Sequence, residues 1–109
     1  LRPALYEAYH DIVPVMLPSV NQKNTVYDVV GPVCETGDTF AKSRTMHICK
    51  PGELVAFRSA GAYGAAMASE YNTRPLVPEV LVNNSNYSAI RERPTLDEII
   101  ARDKIPNWL

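Results

Sequence analysis

Nine prolines and five glycines in 109 residues divide the chain into short pieces, and this limits the fold more than any other property. Proline removes a backbone donor and fixes φ, while glycine releases it, so each acts as a break in regular structure. Short apolar pieces between such breaks point to strands rather than a helical bundle. Thr25 to Val33 reads as a buried strand that stops near Gly31-Pro32. Lys50-Pro51-Gly52-Glu53 is a turn, with proline presetting φ and glycine accepting a positive φ after it. Leu54 to Phe57 follows as a short strand. Glu79–Val82 and Tyr87–Arg93 flank Asn83-Asn84-Ser85-Asn86 as a hairpin. Leu5 to Leu17 is rich in Tyr, Val and Ile, but Pro14 argues against an unbroken central strand. Helix is expected in two places. Ser59 to Tyr71 is alanine-rich, with Ser59 as its cap and Arg74-Pro75 as its stop. Thr95-Leu96-Asp97-Glu98 forms a capping box that opens a helix through about Arg102. The expected fold is one mainly β domain over residues 1–109, a barrel or sandwich with two short helices.

Composition removes several function classes. The 46% of hydrophobic residues is enough for a packed core, and 11 basic against 12 acidic residues leave a net charge of −1. With the charges spread along the chain there is no electrostatic footprint for nucleic acid or an anionic membrane surface. No apolar run approaches the roughly 20 residues of a bilayer span, and no signal segment opens the chain. The start at Leu1-Arg2-Pro3 reads as a fragment with an upstream part missing. Cys34 and Cys49 leave a disulfide open, but nothing else marks secretion. With His10 and His47 they lack the close pair spacing of a zinc site. No metal is expected, and a reduced, cytoplasmic setting is the default.

Three segments carry chemistry. Gly31-Pro32-Val33-Cys34-Glu35-Thr36-Gly37-Asp38 puts a thiol, two carboxylates and a hydroxyl in one loop after an apolar strand; its plain alternative is a polar turn with a buried cysteine. Arg58-Ser59-Ala60-Gly61-Ala62-Tyr63-Gly64-Ala65 runs a strand into a helix start, whose unpaired N–H groups suit an anion. Tyr63 there is a hydroxyl donor or a core tyrosine. In Leu1-Arg2-Pro3-Ala4-Leu5-Tyr6, Arg2 and Tyr6 share a face if the stretch is helical, and a guanidinium beside a phenol can clamp a carboxylate. An arginine near a chain end can equally be a solvated surface residue. His10 and His47 have no obvious partner and read as structural.

Together these segments resemble diaminopimelate decarboxylases. The resemblance lies in RPALYEAYH at Arg2–His10, GPVCETGD at Gly31–Asp38, FRSAGAYGAAMASEYNTRP at Phe57–Pro75, PEVLV at Pro78–Val82 and IPNWL at Ile105–Leu109. It covers nearly the whole chain in the family's order. It implies a fold-type III enzyme dependent on pyridoxal 5'-phosphate, with an N-terminal (β/α)8 barrel and a C-terminal β-domain of the alanine racemase type. The present chain corresponds to the second. The barrel holds the Schiff-base lysine and most of the phosphate site. Lys23, Lys42, Lys50 and Lys104 lie in no matching context, so the chain alone is expected to be inert.

The resemblance also implies residue roles. Arg2 and Tyr6 would hold the distal carboxylate of meso-diaminopimelate, and Glu35 the ammonium at the distal stereocentre. Tyr63 would touch both the cofactor phosphate and the substrate. Cys34 would return a proton after CO2 leaves, across the interface of a homodimer with shared sites, giving L-lysine. Ornithine-type relatives carry aspartate after the cysteine; Glu35 stands here, which favours the two-ended substrate. Thr36 replaces the family's common serine and keeps the hydroxyl. Two alternatives remain at this level: an ornithine- or arginine-type decarboxylase domain, and a stand-alone β-domain serving as a binding module.

Overall fold

The computed structural model describes residues 1–19 and 21–109. They fall into two compact units, Leu1–Met67 and Ala68–Leu109. The first unit opens with a single 3-10 turn, Pro3–Leu5, followed by strands β1 (Ile12–Pro14), β2 (Asn24–Val30), β3 (Thr39–His47) and β4 (Val55–Phe57) and by helix α1 (Gly61–Ala66). The second contains a 3-10 turn at Tyr71–Thr73, strands β5 (Glu79–Asn83) and β6 (Asn86–Arg91), and helix α2 (Leu96–Ile100). The mainly β expectation with two short helices holds.

The strands pair as antiparallel ladders β1–β4, β2–β3 and β5–β6. In the first, Ile12 faces Phe57 and Pro14 faces Val55, so proline sits at the end of a three-residue strand, where its missing N–H does little harm. The turn before β4 forms as expected: Gly52 has φ +90°, and the Glu53 amide donates to the Lys50 carbonyl at 3.0 Å.

The β2–β3 ladder departs from the sequence expectation. β3 carries Lys42 and Arg44 and was not anticipated as a strand, yet it is the longest in the first unit. It bulges twice against β2: Tyr27 pairs with Arg44, Val29 with Ala41 and Val30 with Thr39. At the first bulge Ser43 takes φ +49° and its N–H donates to Asp28 Oδ1 at 2.8 Å, which satisfies an amide the ladder leaves out. β2 is also less covered than expected, with Val26 and Val30 each 61% exposed. Burial is concentrated elsewhere. Ile12 and Met46 are buried, and so are Pro3 and His10. Phe40 of β3 meets Phe57 of β4 at 4.9 Å between ring centres.

The helix after β4 is shorter than expected. Ser59 does not cap it: Ser59 has φ +52°, the cap position is Ala60 without a side-chain hydrogen bond, and the helix ends at Ala66. Two glycines in six residues weaken it, and so short a helix adds little dipole for an anion. In the second unit the capping box forms. Thr95 Oγ1 accepts from the Glu98 amide at 3.2 Å, and Glu98 Oε2 accepts from the Thr95 amide at 2.7 Å. The Thr95 amide most, and then the Thr95 hydroxyl, which donates to Glu98 Oε2 at 3.0 Å, lower the Glu98 carboxyl below its ordinary value. The β5–β6 hairpin turns at Asn84 with φ +54°, and Val80, Leu81, Val82, Tyr87 and Ile90 on it are exposed. No helix among the described residues is long and apolar enough to cross a membrane.

Candidate active site

The site grows from the stem Arg2–Tyr6. Pro3 at the first helical position favours a turn, and Glu7 at φ +51° stops it from continuing. The stretch is a single turn and not a helix, so the shared face that a helix would give Arg2 and Tyr6 does not form. They leave opposite ends of one turn toward different partners. Arg2 Nη2 donates to Glu35 Oε2 at 3.0 Å. The Tyr6 ring stacks on Tyr63 with centres 4.0 Å apart and planes 7° apart.

Glu35 is carried by a loop that its own residues close. Asp38 Oδ2 accepts from the Val33 amide at 2.7 Å, the Gly31 amide donates to the Asp38 carbonyl at 2.8 Å, and the Asp38 amide donates to the Glu35 carbonyl at 3.0 Å. A methyl group at Gly31 would land on the Asp38 carboxylate, and one at Gly37 would lie 2.7 Å from Glu35 Oε1. Gly31 leaves room for the Asp38 carboxylate, while the group near Gly37 is the flexible end of Glu35, which can move aside; the loop presents Glu35 to Arg2. Cys34 is exposed on the same loop, and no disulfide joins it to Cys49. Cys49 instead lies near the β2–β3 ladder, its amide donating to Tyr27 Oη at 3.1 Å.

Tyr63 belongs to the first turn of α1 and is 46% exposed. Against the Tyr6 hydroxyl lies a residue that the sequence reads as structural. His10, 5% exposed, has Nε2 3.0 Å from Tyr6 Oη and Nδ1 3.3 Å from the Arg58 carbonyl oxygen. The signal was the four-residue spacing from Tyr6 to His10. The Arg44 guanidinium donates to the His10 carbonyl at 3.0 Å and lies 4.1 Å above the Tyr9 ring. Arg2, Tyr6, Glu35 and Tyr63, three segments of sequence, thus meet as two linked pairs, with Cys34 beside one of them. Among the described residues no group of three His, Cys, Asp or Glu side chains is placed to hold a metal ion.

The profile of the family described as pyridoxal-dependent decarboxylase, C-terminal sheet domain, matches residues 1–61. The chain belongs to that family. Diaminopimelate decarboxylase of Zymomonas mobilis is 47% identical over 109 residues, which is 100% of this chain and 25% of the relative. The enzyme of the same name from Aquifex aeolicus is 48% identical over 92% of this chain and 23% of its own length. The crystal structure of diaminopimelate decarboxylase from M. jannaschii in complex with L-lysine superposes with a TM-score of 0.85 at 37% identity, covering 99% of this chain and 24% of that one. This decarboxylase sheet domain therefore spans about a quarter of the proteins it matches. The family depends on pyridoxal phosphate. The Tyr63 ring stacks on Tyr6 and is 46% exposed, which leaves it open to contact by an outside group. Lys23, Lys42, Lys50 and Lys104 are all exposed, so the decarboxylase sheet domain offers no enclosed amine for the cofactor's aldehyde.

Proposed function

We propose that this chain is the substrate-recognising β-domain of a diaminopimelate decarboxylase, acting with an N-terminal barrel to convert meso-diaminopimelate to L-lysine and CO2. The observation that carries the reading is the Arg2–Glu35 ion pair at 3.0 Å. A guanidinium and a carboxylate side by side are the complement of an amino-acid zwitterion. The distal end of diaminopimelate can replace their mutual contact with two new ones, its carboxylate on Arg2 and its ammonium on Glu35. A substrate with only an amine at that end would leave Arg2 unpaired, which is costly in an enclosed site. Tyr6 lines the same end.

Pyridoxal phosphate, when bound, supplies the electron sink for breaking the bond to CO2. Tyr63 then has two tasks: its hydroxyl donates to the phosphate, and its ring, stacked on Tyr6, walls the substrate's path. Cys34 holds a proton on Sγ and delivers it to the carbon that lost CO2, after which solvent restores the thiol. The working form in this reading is a cytoplasmic homodimer, and the exposed position of Cys34 suits delivery into the site of the second subunit. The test is turnover by the complete protein on diaminopimelate, ornithine and arginine. Lysine formation from diaminopimelate alone is expected; turnover confined to ornithine or arginine defeats the assignment. A parent chain without an upstream barrel would make the domain a stand-alone module.

A further inference from the structure

We propose that His10 is a positioning residue for substrate binding, holding Tyr6 at the angle at which it lines the site. This rests on the reading above for the identity of the substrate. The Arg58 carbonyl oxygen can only accept, so Nδ1 of His10, 3.3 Å away, carries the ring proton. Nε2 is then a lone pair, and the Tyr6 hydroxyl 3.0 Å from it donates to it.

The bonds close a circuit. Arg58 and Tyr63 lie on one connection, from the end of β4 into α1. That connection grips Tyr6 twice: through His10 at the hydroxyl, and through Tyr63 at the ring face, 4.0 Å away. The stack alone lets the phenol turn in its own plane; the hydrogen bond to a buried, anchored imidazole removes that freedom. His10 is fixed in turn, since Arg44 on β3 ties down its backbone and the Asp11 carbonyl accepts from the Arg58 amide at 2.8 Å. Ordering Tyr6 before the substrate arrives lowers the cost of binding.

Two substitutions separate the two ring nitrogens. In His10→Asn the amide nitrogen can take the place of Nδ1 and still donate to the Arg58 carbonyl, but nothing is left for Tyr6. In His10→Gln the longer amide can put its oxygen where Nε2 stood and still accept from Tyr6. In the complete enzyme His10→Asn is expected to raise KM for diaminopimelate roughly tenfold, the loss of one hydrogen bond, with kcat within about twofold. Tyr6→Phe should match it, and the double variant should be no worse than either single one. His10→Gln should keep KM within about threefold of the parent. In the unsubstituted enzyme, 15N spectra should show Nδ1 of His10 protonated and Nε2 bare. Equal loss of KM, kcat and Tm in both variants would reduce His10 to a packing residue. So would an unchanged KM in His10→Asn, and a protonated Nε2 would reverse the hydrogen bond. If the enzyme does not turn over diaminopimelate at all, the functional reading fails, while the 15N result still decides how His10 and Tyr6 are joined.

Discussion

Replacing Arg2 by alanine in the complete enzyme should separate catalysis from stability. The Arg2 and Glu35 side chains are 48% and 34% exposed, so water screens their pair and it contributes only about 0.2–1 kcal/mol to folding. A substrate carboxylate held by the same guanidinium in a closed site is a different case. Truncating one partner of an enclosed charge pair costs about 2–5 kcal/mol, which lowers kcat/KM by roughly one and a half to three and a half orders of magnitude. Most of the loss should appear in KM. Arg2→Lys should fall between, because it keeps the charge and loses the fork. Arg102 provides the control. It pairs with Glu70 at 2.6 Å with side chains 55% and 25% exposed, so Arg102→Ala should cost about the same small stability and leave the kinetics alone. Steady-state rates and thermal melts on the three variants decide it. Unchanged kinetics in Arg2→Ala would remove Arg2 from the site, and a kinetic loss matched by a large fall in Tm would make it structural.

Cys34→Ala should lower kcat with little change in KM while cofactor absorbance persists; normal turnover would exclude the thiol as proton donor. Gly31→Ala drives a methyl into the Asp38 carboxylate and should cost about 1–3 kcal/mol, with kcat/KM falling as the loop holding Cys34 and Glu35 shifts. A Tm equal to the parent's would show that Asp38 yields freely. The Glu98 carboxyl is lowered by the Thr95 amide and hydroxyl. A depressed folded value means its support for α2 is complete above the ordinary 4.5 and disappears as pH falls through the lowered one. NMR titration should show Glu98 returning to the ordinary range in Thr95→Pro, which removes both donors; an unmoved Glu98 would assign the shift elsewhere.

What could be read in the sequence was local. The Lys50–Glu53 turn, the Asn83–Asn86 hairpin and the Thr95 capping box each depend on residues within four positions, and each formed. β3 escaped because its charged Lys42 and Arg44 and its two bulges break the alternation that marks a strand, and its pairing depends on β2. The helix after β4 was read too long because alanine content outweighed the positive φ at Ser59 and the paired glycines. At the site, the residue types were legible from the family resemblance but their partners were not. Arg2 and Tyr6 would share a face if the stretch were helical, but only Pro3–Leu5 turns and the backbone is non-helical at both Arg2 and Tyr6. His10 read as structural because its partners, a phenol one turn away and a carbonyl 48 positions on, look like nothing in particular until the chain folds.

The single turn from Pro3 to Leu5 has a consequence for enzyme design. It fixes the span between Arg2, which would seize the ligand's distal carboxylate, and Tyr6, which would border that same end with its ring stacked on Tyr63. A residue inserted there would swing the guanidinium away from Glu35 while leaving every side chain intact. Altered preference for shorter or longer diamino diacids is therefore better sought in the length of this hinge-like spacer than in the residues it carries.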